Sequence, residues 1–168
     1  MDKKKLINIV IIVVVLLSIV TVYFIKNREV EEIGDNKDFY MTITENLNIE
    51  KLKEYKLPIL ISFGSESCMP CMMMQPHLRQ LNTELKGKAI IKYLDVWKHP
   101  EYIDGKTIEY VPTQIFITKS GKPYENKNVK DLKFEYQKDE NGNILYTYHV
   151  GYLSYEDMKA IIEELNNG

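Results

Sequence analysis

Hydrophobic and polar positions divide the chain into an uncharged first segment and a body in which short apolar runs alternate with amphipathic stretches. Residues 6–25 carry no charge and are rich in Ile, Val and Leu. At about 1.5 Å per residue, a helix of this length can cross the hydrocarbon core of a bilayer. The run ends in Val22-Tyr23-Phe24-Ile25-Lys26, without the small residues of a signal-peptide cleavage site. We therefore expect an uncleaved transmembrane anchor that contacts membrane lipid.

The charges on either side of this anchor predict its orientation. Residues 1–5 are lysine-rich, whereas Lys26 and Arg28 are followed at once by three glutamates. By the positive-inside rule, residues 1–5 are expected in the cytoplasm and the rest of the chain outside the plasma membrane, as in a single-pass protein. Residues 26–38 are polar and acidic and are predicted to form a spacer, which leaves residues 39–168 as the folded domain.

The domain alternates β-forming runs with helical periodicity. Phe39–Thr44 is rich in β-formers, helical spacing follows from Ile49 through Lys56, and Pro58–Phe63 reads as a buried central strand. The remaining predicted elements are a helix over 72–85, strands over 89–94 and 113–118, a hairpin that pairs 132–136 with 144–150 around Asn141-Gly142, and a final helix capped by Ser154 with Asp157 in the capping-box position. This order predicts an α/β fold with a mixed sheet.

The chain has only two cysteines, Cys68 and Cys71, where a predicted strand ends and a helix begins. A thiol at a helix N-terminus lies near unsatisfied N–H groups, so we expect the pKa of the Cys68 thiol to fall into the range of roughly 3.5–7.5. The spacing within one helical turn lets the two sulfurs meet, and Pro70 is tolerated in the first turn. A structural zinc site needs four ligands, and the two cysteines supply only two, while the three histidines are widely scattered along the chain. Redox chemistry is therefore favoured over structural zinc.

Around this Cys-Met-Pro-Cys segment the chain resembles the thioredoxin family, over roughly residues 39–165. Pro76 lies where thioredoxins carry the proline that kinks the active-site helix. Val111-Pro112-Thr113 looks like the family's cis-proline loop, and residues 149–154 are similar to its last strand, glycine and helix start. The resemblance implies a thioredoxin-like fold, with a mixed central sheet flanked by helices, preceded here by one N-terminal transmembrane helix.

The resemblance also implies the activity of a protein-disulfide reductase that needs no cofactor and no metal. By this resemblance, Cys68 is expected to exchange with a sulfur of a disulfide-bearing protein substrate, and Cys71 is expected to resolve the mixed disulfide. Val111 and Pro112 are expected to bind the substrate. Met69, Pro70 and Pro76 are expected to support the site.

Two departures from the family leave questions open. Ser62 replaces the aspartate that thioredoxins bury on the central strand, which leaves the base for Cys71 unassigned; Glu66 and Lys92 are the candidates. The insert over residues 121–146 is longer than the family's usual hairpin, and either partner docking or a simple extension explains it.

Other functions remain open on sequence alone. Met69-Pro70 lacks the histidine that strong oxidants such as DsbA place between their cysteines, so we expect a reductant fed by a DsbD- or CcdA-type membrane electron donor, with an oxidase or isomerase as the alternative. Residues 72–74 add three methionines, and soft sulfur ligands also suit a Cu(I)-handling protein. The net charge of −2, without a basic cluster, disfavours binding to nucleic acid.

Overall fold

The computed structural model describes residues 7–9, 11–23, 36–43, 47–102, 108–126, 129 and 131–168. The chain forms two compact units, Met1–Asn36 and Lys37–Gly168. The second unit contains, in chain order, a 3-10 turn (Lys37–Phe39), helix α1 (Ile49–Glu54), strand β1 (Ile59–Gly64), helix α2 (Met69–Glu84), strand β2 (Ile90–Asp95), a 3-10 turn (Pro100–Tyr102), strands β3 (Thr113–Ile117), β4 (Glu135–Lys138) and β5 (Ile144–Val150), and helix α3 (Tyr155–Leu165).

The five strands form one mixed sheet in the order β2-β1-β3-β5-β4. Strands β1 and β2 are parallel, and the other pairs are antiparallel. Every residue of β1, β2 and β3 is buried, which explains why these strands read as continuous apolar runs rather than as alternating ones. The predicted α/β fold with a mixed sheet is confirmed.

One face of this sheet carries a hydrophobic core packed by two helices. Opposed residues on neighbouring strands point to the same side, so Ser62, Tyr93 and Gln114 share a face. Helices α2 and α3 pack there around a cluster of buried residues. The cluster includes Leu60, Met74, Leu78, Leu81, Ile91, Phe116, Tyr124, Leu153, Met158 and Ile161. This packing places the N-terminus of α2 at the end of β1.

The predicted first strand is wrong over the described residues. Phe39 ends a 3-10 turn and packs edge-on against Tyr55, with ring centroids 4.9 Å apart. Thr42 forms only an isolated parallel bridge with Tyr93, whose N–H donates to the carbonyl of Met41. Residue 44 lies outside the described residues. Tertiary contacts therefore override the β propensity of this segment.

The two C-terminal elements follow their local signals. Gly142 adopts a φ of +84° in the turn between β4 and β5, as an Asn-Gly turn requires. Ser154 caps α3 and forms the predicted capping box with Asp157. Strand β4 begins later than predicted, at Glu135, because Phe134 turns into the core against Tyr124.

The first unit contains helical residues at 7–9 and 11–23. Within the ranges that the structure describes, no helix is both long and apolar enough to span a bilayer. Residues 6, 10, 24 and 25 of the predicted anchor lie outside those ranges.

Candidate active site

Cys68 is the N-cap residue of helix α2, where the sequence predicts it. Its backbone is extended (φ −93°, ψ 109°), and its Sγ accepts a hydrogen bond from the backbone N–H of Cys71 at 3.3 Å. Pro70 occupies the first turn, where a backbone N–H would have no acceptor within the helix, so its absence costs no hydrogen bond. The helix therefore directs an otherwise unpaired N–H donor at the sulfur of Cys68, which favours a thiolate there.

The two cysteines form a disulfide, with their Cα atoms 5.2 Å apart. Their exposures differ sharply: Cys68 is partly accessible, whereas Cys71 is 1% exposed. An incoming sulfur therefore reaches Cys68 from solvent, and Cys71 is shielded behind it.

The Val111-Pro112 loop lies against this disulfide. The peptide bond between these residues is cis, as the resemblance implies. The carbonyl oxygen of Val111 is 3.6 Å from Sγ of Cys68. The carbonyl of Pro112 accepts from the N–H of Gly151, and Thr113 Oγ1 donates to the carbonyl of Tyr110, so both sides of the loop are held. The loop thus presents a backbone acceptor beside the reactive sulfur.

Each candidate base for Cys71 is paired with another group. Glu66 is exposed in the loop before α2 and forms an ion pair with Lys98. Lys92 points to the opposite face of the sheet from Ser62, and its Nζ donates to the carbonyls of Lys37 and Tyr40. Burial lowers the pKa of Lys92 to about 8. Side chains alternate along β2, so placing Lys92 on one face places Tyr93 on the other.

Tyr93 is the residue that sequence reasoning missed. An ideal Cβ built on Gly64 would lie 3.0 Å from the Tyr93 hydroxyl oxygen and 3.1 Å from Cβ of Cys71, so both groups meet at this glycine. Burial raises the pKa of Tyr93, and the nearby Gln75 side chain only partly opposes the rise. The alternation of side chains along β2 was the available signal, but it places Tyr93 beside Ser62 only once the register between the two strands is known.

The methionines around the cysteines differ in burial. Met69, Met72 and Met73 are exposed, whereas Met74 is fully buried in the core, where its Sδ accepts from Gln114 at 3.7 Å. Among the residues the structure places, no group of three or more His, Cys, Asp or Glu side chains could hold a metal ion. Pro76 lies inside α2, which continues past it to Glu84.

Comparisons with known proteins agree with this geometry. A family model described as thioredoxin matches residues 40–137. The thioredoxin of Chlorobaculum thiosulfatiphilum is 34% identical over 84 residues, which are 50% of this chain and 76% of that protein. The thioredoxin of Rickettsia felis is 29% identical over 85 residues, covering 51% of this chain and 80% of that protein.

Solved structures give the same likeness at the level of the fold. A mutant thioredoxin from Halobacterium salinarum superposes with a TM-score of 0.54 at 16% identity, covering 79% of this chain and 96% of that one. Chloroplastic thioredoxin z superposes with a TM-score of 0.52 at 17% identity, covering 76% and 95%. At such low identity these two matches bear on the fold alone.

Proposed function

The chain belongs to the thioredoxin family and is a protein thiol-disulfide oxidoreductase, and from this premise we propose that it acts as a membrane-tethered reductant of disulfides in extracytoplasmic proteins. The exchange chemistry follows from the unequal exposure of Cys68 and Cys71, which is the observation that carries the proposal. The tether and the orientation are supported by the uncharged run over residues 6–25 and the lysines before it.

The reduced pair would transfer two electrons in two exchange steps. The Cys68 thiolate attacks one sulfur of the substrate disulfide, the substrate S–S bond breaks, and the other substrate sulfur leaves as a thiolate that takes up a proton. Cys71 then attacks Sγ of Cys68, the second substrate sulfur leaves, and the Cys68–Cys71 disulfide forms. An extended substrate segment can donate a backbone N–H to the carbonyl of Val111 while its sulfur meets Cys68.

The direction of electron flow rests on the residues between the cysteines. Met69 and Pro70 carry no positive charge, so nothing between the cysteines adds to the stabilisation that the helix N-terminus already gives the thiolate. A less stabilised reduced form is the stronger reductant. Outside the cytoplasm such a protein needs electrons from across the membrane, and a DsbD- or CcdA-type carrier would supply them.

Trapping in living cells tests this function. Cys71→Ser removes the resolving sulfur, so mixed disulfides with substrates should accumulate on Cys68 and be identified by mass spectrometry. The matched control carries both Cys68→Ser and Cys71→Ser. Equal recovery of partners from the two variants would remove the support for exchange at Cys68.

The equilibrium redox potential of the full-length protein tests the direction of electron flow. It should lie nearer to roughly −270 mV than to roughly −120 mV, and the second value would make the protein an oxidase instead.

The location has its own test. Intact cells are treated with a membrane-impermeant maleimide after mild reduction, and labelling of Cys68 is compared with labelling after lysis. We expect full labelling in intact cells and recovery of the protein in the membrane fraction, both abolished by deletion of residues 2–25. Labelling that requires lysis would contradict the proposed orientation.

Copper handling is the weaker candidate, because Met74 is fully buried in the core, where its Sδ accepts from Gln114. Titration of the reduced protein with Cu(I) decides between the two classes. Tight stoichiometric binding that is lost in the triple variant Met69→Leu, Met72→Leu, Met73→Leu would favour a copper carrier over a reductant.

A further inference from the structure

The Tyr93 hydroxyl is a buried polar group with an unusual set of neighbours. The residue is 6% exposed, and among the described residues its hydroxyl oxygen meets no partner within strict hydrogen-bond geometry, although the side chain of Gln75 lies near enough to lower the pKa of the phenol by hydrogen bonding. Leaving such a group unpaired is unfavourable, and buried hydroxyls in proteins are normally satisfied. We therefore ask which group the hydroxyl could bind when the disulfide is reduced.

The other state here is the reduced one. In the disulfide, the sulfur of Cys71 is bonded to Cys68 and carries no charge. When the bond opens, Cys71 must pass through a thiolate in order to attack, and with 1% of its surface exposed it has almost no water to stabilise that charge. The Tyr93 hydroxyl and Cβ of Cys71 both border the space that a side chain at Gly64 would fill, so the hydroxyl lies on the same side of Gly64 as the carbon that carries the resolving sulfur.

We propose that Tyr93 is the positioning residue for the resolving cysteine, its hydroxyl donating a hydrogen bond to the Cys71 thiolate during the second exchange step. Tyr93 acts as a donor and keeps its own proton throughout. The proton that Cys71 loses passes to the leaving substrate sulfur, the bond between Cys68 and the substrate breaks, and the bond between Cys68 and Cys71 forms. This inference rests on the exchange activity of the two cysteines and is independent of the membrane tether and of the direction of electron flow.

Several charged and polar side chains act on the Tyr93 phenol. Asp95 lies on the same strand, Glu66 and Lys98 lie in the loops at the end of the sheet, and Gln75 lies on α2. Both carboxylates oppose ionisation of the phenol and Lys98 favours it. Tyr93 therefore stays protonated at neutral pH, as a donor must. Ser62 pairs with Tyr93 on the same face and is the rival hydroxyl.

The direct test measures ionisation of Cys71 in the full-length protein purified in detergent. Cys68→Ser leaves Cys71 as the only thiol, and its thiolate is followed by ultraviolet absorbance as the pH is raised. Adding Tyr93→Phe removes only the hydroxyl and should raise the pH midpoint of Cys71 ionisation by about one unit or more. Adding Ser62→Ala instead should leave the midpoint unchanged. A shift with Ser62→Ala and none with Tyr93→Phe would overturn the proposal.

A kinetic test separates the two exchange steps. The reduced protein, with both cysteines, is mixed with glutathione disulfide, and acid-quenched samples are analysed by mass spectrometry. With Tyr93→Phe the Cys68–glutathione adduct should form at the unaltered rate. It should decay about three-fold more slowly at neutral pH, because a one-unit rise in the pKa of Cys71 leaves about ten-fold less thiolate, each about three-fold more nucleophilic. Equal slowing of both steps, or of neither, would contradict a role at Cys71.

A third variant covers the case in which Tyr93→Phe does not fold. Tyr93→3-fluorotyrosine keeps the ring and strengthens the donor, so it should lower the midpoint of Cys71 ionisation. A rise or no change would count against the proposal. If the adduct never forms with any variant, the exchange activity itself fails, whereas normal formation with unaltered decay rejects only the role of Tyr93.

Discussion

The backbone N–H of Cys71 points at Sγ of Cys68 from a distance of 3.3 Å. Sulfur thus occupies the place that a serine or aspartate oxygen takes in an ordinary N-cap, with one of the helix's unpaired donors aimed at it. The same turn buries Cys71 beneath it. A single local geometry therefore makes one thiol reactive and accessible and leaves the other protected.

This asymmetry predicts the order of alkylation in the reduced protein. Iodoacetamide should modify Cys68 about ten-fold or more faster than Cys71 at neutral pH, because Cys68 is both accessible and favoured as a thiolate. Peptide mass spectrometry of time-quenched samples measures the two rates. The control is the same reaction in urea, where the rates should converge. Faster modification of Cys71 in the folded protein would contradict the assignment of the attacking sulfur.

Gly64 is predicted to be required for packing behind the disulfide. In Gly64→Ala the new Cβ would lie 2.8 Å from Cε2 of Tyr93 and 3.1 Å from Cβ of Cys71, so both must shift. We expect the free energy of unfolding to fall by about 1–3 kcal/mol. Urea denaturation of the oxidised protein measures it.

A double-mutant cycle provides the control for that change. Tyr93→Leu shortens the side chain that the new Cβ of Gly64→Ala would contact. The double variant should therefore lose about 1 kcal/mol less free energy of unfolding than the two single variants lose together. Gly142→Ala meets nothing within 4 Å but has a φ of +84°, so its effect is confined to the backbone and should add independently to Tyr93→Leu. If Tyr93→Leu were coupled to Gly142→Ala and not to Gly64→Ala, a steric contact between position 64 and Tyr93 would be refuted.

Local signals in the sequence were sufficient for much of this architecture. The strand before Cys68, the capping of α3 by Ser154 and the turn at Gly142 each depend on residues within a few positions of one another. The role of Lys92 and the position of Tyr93 depend instead on the register between β1 and β2, which pairs Ser62 with Tyr93. Register is a property of two distant segments, so a reading along one segment left Lys92 as a candidate base and overlooked Tyr93.

The insert over residues 121–146 is predicted to stabilise the domain through Tyr124. Its hydroxyl donates to Glu164 of α3 at 2.6 Å, and its ring packs against Phe134 in the core. Tyr124→Phe should lower the free energy of unfolding by about 1.5 kcal/mol, because a hydrogen bond to a charged group is lost in a buried setting. Tyr155→Phe removes a hydroxyl that donates to Glu84 at the surface, where water competes for both groups, and should cost less than Tyr124→Phe. Equal effects in urea denaturation would show that burial does not decide the value of these bonds.

Lys92 is predicted to make the stability of the oxidised protein rise with pH. Burial lowers the pKa of Lys92 from 10.5 to about 8. Between these two values the unfolded chain binds a proton that the folded protein has released, so stability rises as the pH increases through this window. Because one pKa unit corresponds to about 1.4 kcal/mol and partial solvation reduces the full effect, we expect a gain of about 1–2 kcal/mol between pH 8 and pH 10.5.

Lys92→Met isolates this contribution from that of every other titratable group. The difference in free energy of unfolding between the parent and Lys92→Met should grow in favour of the parent as the pH is raised from 8 to 10.5. Lys98→Met is the matched control, because the pKa of Lys98 is raised by Glu66, and its removal should not reproduce that slope. Urea denaturation at several pH values measures both differences. A difference that stays constant over the window would mean that Lys92 remains charged in the folded domain, held by the carbonyls of Lys37 and Tyr40 and by Asp38 nearby.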